Sequence, residues 1–137
     1  MQSHYGPNFS LAQVPDMALP GAFDEALKDV DGIAHVASPT GESHQPDPQA
    51  TVPNGIRCAI ELLESAAKES SVKSVIYTSS QSACVTLEPR KPYRITAESW
   101  NEASKAAWTL PITQDWRRAI INYMCAKTEA EQQSFKW

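Results

Sequence analysis

Tyr123 and Lys127 stand four residues apart in the run Ile121-Asn122-Tyr123-Met124-Cys125-Ala126-Lys127-Thr128-Glu129-Ala130. The run reads as part of a helix, on which residues four apart share one face, one turn apart. A phenol beside an ammonium group is a proton-donating pair, because a nearby positive charge favours the phenolate and lowers the tyrosine pKa. Taken alone, Tyr-x-x-x-Lys is a short motif that arises readily by chance. It needs a fold, a third polar group and a binding site around it.

Ser79 and Ser80 are candidates for the third group. They follow an apolar run at the carboxyl end of a predicted strand, where open α/β sheets place their ligands. Serines are also ordinary turn formers at strand ends, and that reading stands beside the first. Asp16 could accept a hydrogen bond from an adenine amino group or merely open a turn, the commoner fate. His35 lies in an apolar strand and reads as a satisfied core histidine. Cys125 reads as a small buried hydrophobe rather than a nucleophile. Trp100, Trp108 and Trp116 could line a substrate mouth or anchor a long loop.

Stepping along the chain gives the elements that would position these groups. Phe9 to Val14 alternates apolar and polar residues as a short strand, closed by Pro15. A helix opens near Pro20, with Phe23, Ala26, Leu27 and Val30 at helical spacing. Gly32 to Ser38 is a short apolar run bounded by turn residues, the pattern of a buried parallel strand. After a polar loop, 40–48, a long helix reaches about Ser70, with Val52, Ile56, Ala59, Ile60, Leu63, Ala66 and Ala67 as its inner face. Ser74 to Ser80 is the second buried strand. Residues 86–116 form an irregular, proline-rich loop, long for a connection and so expected to be either functional or poorly ordered. The last helix starts near Arg117. The alternation is that of an α/β protein with right-handed crossovers.

Composition narrows the function classes. The chain has 137 residues, room for one domain, and a net charge of -4 with its basic residues scattered, which argues against a nucleic-acid surface. No apolar run reaches the length of a membrane span, and the first residues lack the pattern of a signal peptide. Cys58, Cys84 and Cys125 are odd in number and far apart, suiting neither a zinc site nor a disulfide framework. No metal is expected, and a cytoplasmic location is the expectation.

Five blocks occur in order: Val14-Pro15-Asp16-Met17; Pro20-Gly21-Ala22-Phe23-Asp24; Val30 to Pro39; Val72 to Ser80; and Tyr123 to Glu131. Together they resemble the extended short-chain dehydrogenases/reductases of the NAD(P)-dependent epimerase/dehydratase type. Within that group the resemblance is to fungal aldehyde/ketone reductases related to dihydroflavonol reductase and cinnamoyl-CoA reductase. It implies a partial Rossmann-like doubly wound parallel sheet over residues 1–137, from the family's third strand to its catalytic helix. It also implies reduction of a small aldehyde or ketone with hydride from NADP(H), with NAD(H) not excluded. Carried over, Ser80 orients the substrate oxygen, Tyr123 donates the proton, and Lys127 holds the nicotinamide ribose and depresses the tyrosine pKa. Asp16 and Met17 match an adenine-contacting pair. Ala37, Ser38 and Pro39 match the segment beneath the cofactor, and Thr78 and Ser79 the strand end beside the nicotinamide.

The chain also departs from that pattern. The family begins with a strand and a Gly-x-x-Gly-x-x-Gly turn that lets backbone approach the pyrophosphate at a helix N-terminus. Gly6, Gly21, Gly32, Gly41 and Gly55 are the only glycines here, and none has that spacing. The expectation is therefore an internal fragment, inactive alone, lacking both that motif and the substrate-binding lobe. In the strand order 3-2-1-4-5-6, Phe9 to Val14 would have no neighbour and the Gly32 strand would keep an open edge. Open edges invite self-association. Where relatives usually carry Lys-Gly-Thr, this chain has Arg57-Cys58-Ala59.

Overall fold

The computed structural model describes residues 6–39 and 45–137. Much of the two loops expected at 1–8 and 40–48 lies outside the described residues. Two strands, β1 (Gly32–His35) and β2 (Ser74–Tyr77), pair in parallel, with Gly32 opposite Ser74 and His35 opposite Tyr77. Helix α1 (Pro48–Lys68) makes the crossover between them. After β2 come a 3-10 turn (Gln81–Ala83), a 3-10 helix (Glu102–Trp108) and helix α2 (Trp116–Ser134). This is a partial Rossmann-like α/β arrangement.

Both long helices begin where an aspartate caps them. Asp47 accepts the Gln49 amide at 2.9 Å, with Pro48 at the first helical position, and Asp115 accepts the Arg117 amide at 3.0 Å. Such caps satisfy backbone donors that a helix start leaves free. Two clusters bury the apolar surface. Phe23, Leu27, Leu62 and Ala66 pack under the sheet with Val14, Met17, Ile33 and Val75. Val52, Ala107, Cys125 and Ala126 seal α1 against α2.

Several expectations need correction. Phe9 to Val14 is not a strand: Leu11 is exposed, only Val14 is drawn onto the core, and the segment pairs with neither β1 nor β2. A lone strand has no ladder to satisfy its backbone. The segment after Pro20 buries Phe23 and Leu27 as expected but forms successive turns, with a single i to i-4 bond between them. Gly21 at φ +73 and Asp29 at φ 59 close it at both ends, leaving too few residues to offset helix nucleation.

The inner face of α1 is rotated from the expected one. Val52, Ala59 and Ala66 are buried, but Cys58, Leu62 and Ser65 join them, Ile56, Ile60 and Leu63 are half-buried, and Ala67 is exposed. The helix serves two neighbours, the sheet and α2, and the face between them is the one that disappears. The strands are covered on one side only. Ile33, His35, Val75 and Tyr77 face the core, whereas Val36 (69%) and Ile76 (67%) stand in solvent on the other side.

The long loop is tied down by polar contacts rather than by periodicity. Buried Asn101 takes the Ala83 carbonyl through its amide and the Ser82 carbonyl through its side chain, both at 2.8 Å. Trp108 Nε1 donates to Glu129 at 2.7 Å, and Trp100 meets Phe135 edge to face. These two tryptophans anchor the loop, while Trp116 stays exposed with Arg117 over its ring.

Candidate functional site

Lys127 is buried, 7% exposed, on the face of α2 turned toward the end of β2. Its Nζ lies 3.4 Å from the Thr78 carbonyl and 5.5 Å from the centre of the Tyr77 ring. The carbonyl and the ring's negative face replace some of the water the ammonium has lost. Burial still lowers the Lys127 pKa from its ordinary value, and the Glu131 charge works against that shift. Tyr123, one turn earlier and half-buried, lines a cavity with Lys127, Ser38, Pro39, Tyr77, Thr51, Gly55, Ala126 and Ala130. The cavity measures about 20 Å³, room for one water molecule.

Gly55 is the place where α1 approaches α2. A Cβ added there would lie 3.2 Å from the Ala126 Cβ, so glycine and alanine allow the close crossing that walls this cavity.

The remaining expected residues divide. Ser38, Pro39, Tyr123 and Lys127 come together around one cavity, and Thr78 joins them through its carbonyl. The Ser79 hydroxyl donates to the Glu131 carboxylate. Ser80 does not line the cavity: it caps the 3-10 turn, its Oγ accepting the Ser82 amide at 3.2 Å. Ala37 is exposed. Asp16 accepts the Ala18 amide at 2.9 Å, the contact of a turn opener, and Met17 packs on the Phe23 cluster.

Two groups escaped the sequence reading. Tyr77 carries Lys127 on its ring, and its own hydroxyl is pushed up to about 12, first by burial and then by the charge of Glu131. Its position in β2, two residues before Ser79, was the available signal. Glu131 was visible as the residue one turn after Lys127.

His35 behaves as a core histidine. It sits between Phe23, edge-on at 5.9 Å, and Tyr77, stacked at 5.7 Å. Burial first, then the charge of Lys127, lowers its pKa from the ordinary 6.5. The unfolded chain therefore binds more protons than the folded one as pH falls below 6.5. That contribution to stability is complete above 6.5 and is lost as pH falls through the folded value. Urea unfolding of the wild type should show this loss between pH 7.5 and 5.5, and His35→Phe should flatten the slope. An unchanged slope would rule out His35 as its source.

Among the described residues no cluster of His, Cys, Asp and Glu could hold a metal, and no helix is long and apolar enough to cross a membrane.

No profile of a known protein family matches the chain. Individual relatives do. It is 37% identical over 131 residues to the NAD-dependent epimerase/dehydratase terH of Aspergillus terreus, an alignment covering 95% of this chain and 38% of that protein. It is 34% identical to aldehyde reductase 2 of Sporidiobolus salmonicolor, covering 97% of this chain and 38% of the relative. Dihydroflavonol 4-reductase of Medicago sativa matches at 31% identity over 126 residues, covering 89% of this chain and 52% of that enzyme. Among solved structures, yeast methylglyoxal/isovaleraldehyde reductase complexed with NADPH superposes with a TM-score of 0.76 at 25% identity, covering 98% of this chain and 40% of that one. The chain thus spans about two fifths of the first two relatives and of the solved reductase, and about half of the third relative.

Proposed function

We propose that this chain, similar to NAD-dependent epimerase/dehydratases and to aldehyde and ketone reductases, carries in Ser80, Tyr123 and Lys127 the Ser-Tyr-Lys set of an NAD(P)H-dependent aldehyde or ketone reductase. The observation that carries this reading is the meeting of Tyr123 and Lys127 with Ser38 and Pro39 at one cavity beside the end of β2. Tyr123 would give its phenol proton to the carbonyl oxygen, and Ser80 would orient that oxygen. Lys127, a buried ammonium one turn away, would favour the phenolate that remains. In such reductions the hydride is supplied by NADPH or NADH.

The proton half of the chemistry fits these residues, but the cavity they line does not itself enclose a nicotinamide. A cavity of about 20 Å³ holds one water, and no Gly-x-x-Gly-x-x-Gly turn is present to take a pyrophosphate. We therefore read the 137 residues on their own as inactive. The alternative is a non-catalytic product that persists through association with another chain, favoured by the open sheet face at Val36 and Ile76.

Titrating NADPH fluorescence against the purified chain tests the reading of incompleteness. No saturable change is expected, and saturable micromolar binding would overturn it. Size-exclusion chromatography of the same sample separates the alternative: a concentration-dependent oligomer favours association, and a monomer counts against it.

A further inference from the structure

Lys127 and Glu131 are one turn apart on the same face of α2, and each grips a different residue at the end of β2. Lys127 donates to the Thr78 carbonyl at 3.4 Å. Glu131 accepts a hydrogen bond from the hydroxyl of Ser79, the next residue along the chain. The two bonds have opposite polarity, helix to strand at the first and strand to helix at the second. A single contact would leave α2 free to turn about it. Two contacts one helical turn apart fix both the rotation of the helix and its position along the strand.

That fixed relation matters because of what stands next to each grip. Ser80 follows Ser79, and its Oγ is already committed to the Ser82 amide in the 3-10 turn. Tyr123 lies one turn before Lys127 on the cavity wall. We propose that Glu131 is a positioning residue of this site: its bond with Ser79 sets the strand-end turn that presents Ser80 to the Tyr123 face of α2, and its negative charge acts through space on buried Lys127 from one turn along the same helix face. The word site rests here on the reductase reading above.

The groups around Lys127 bear on the electrostatic half, in which Glu131 acts through space and not as an ion pair. Tyr77 lies beneath the ammonium, His35 is stacked on the far side of Tyr77, and Tyr123 shares the cavity. Glu131 is the group whose charge raises the Lys127 pKa against the effect of burial. Removing that carboxylate leaves an ammonium held by one carbonyl and one ring.

NMR of the purified 137-residue chain tests this without cofactor or substrate. The lysine side-chain signals are titrated, with Lys127 assigned by its loss in Lys127→Met. In Glu131→Gln the Lys127 midpoint should fall, and the amide signals of Ser79 to Ser82 should move. Glu131→Asp keeps the charge on a shorter arm, so the Lys127 midpoint should largely return while the turn signals stay displaced. A Lys127 midpoint unchanged in Glu131→Gln, or turn amides that stay in place, would overturn the proposal. Should Glu131→Gln unfold, Ser79→Ala removes only a hydroxyl. It should displace the amides of Ser80 to Ser82 together with those of α2 around Glu131, and no displacement on α2 would be equally fatal. Neither readout depends on NADPH, so failure here leaves the reductase reading standing, and failure of that reading leaves this contact intact.

Discussion

A hybrid in which this chain replaces the matching segment of Sporidiobolus salmonicolor aldehyde reductase 2 should reduce an aldehyde with NADPH, and Tyr123→Phe in that hybrid should slow it by about 10²- to 10⁴-fold. The substitution deletes one hydroxyl and keeps the half-buried ring that walls the cavity with Ala126 and Lys127. Its effect on stability should accordingly be small, and the loss should fall on kcat. Tyr93 provides the control. Its hydroxyl accepts the exposed Glu88 amide at 2.8 Å, outside the cavity, and Tyr93→Phe should leave the rate within about twofold. A folded hybrid whose rate survives Tyr123→Phe would remove Tyr123 as the proton donor. A folded hybrid with no activity at all would show that this segment does not carry a working set.

The second large effect is on stability. Arg118→Ala should cost about 3–5 kcal/mol, because Arg118 is 4% exposed and its guanidinium is held by four acceptors. Its Nε donates to the Pro111 carbonyl at 3.1 Å, while Nη1 reaches Asn122 Oδ1 and Nη2 reaches the carbonyls of Ala107 and Leu110. Asn122 continues the chain of contacts to the Gln45 carbonyl at 3.0 Å. Truncating Arg118 leaves two buried acceptors, Asn122 Oδ1 and the Ala107 carbonyl, unmet and releases the end of the 3-10 helix from α2. A small domain holds only about 5–15 kcal/mol in total, so the variant should lose a large share of its cooperative unfolding transition. Arg118→Lys should rescue poorly, since one ammonium cannot reproduce a planar fork. Arg117→Ala, next in sequence but exposed and 3.9 Å from Asp115, should change stability by at most about 0.5 kcal/mol. Equal effects at 117 and 118 in urea unfolding would refute the argument.

Periodicity made α1, α2 and the paired strands legible, because their apolar spacing repeats over enough residues to outweigh local accidents. Phe9 to Val14 shows the limit: its alternation is real, but a strand exists only with a neighbour, and this segment joins neither edge of the β1–β2 pair. The rotated face of α1 has a similar origin. Ile60 and Leu63 look as apolar as Leu62, yet which of them is covered depends on where the sheet and α2 lie, which is tertiary information. At the site, Tyr123 and Lys127 could be paired from spacing alone. Tyr77 could not, because its importance comes from lying under Lys127, fifty residues later in the chain. Ser80 met the bland expectation in part, since its hydroxyl oxygen is occupied by a turn.

The crossing of α1 and α2 at Gly55 and Ala126 has a consequence for how such a site could be altered. The aperture between strand end and helix is governed by the bulk of two residues that have no functional groups. A methyl group at position 55 would act as a shim: it would lift α2 and carry Tyr123 and Lys127 with it, changing the gap without touching either. Tyr123 and Lys127 can therefore stay constant while the opening before them is regauged from behind.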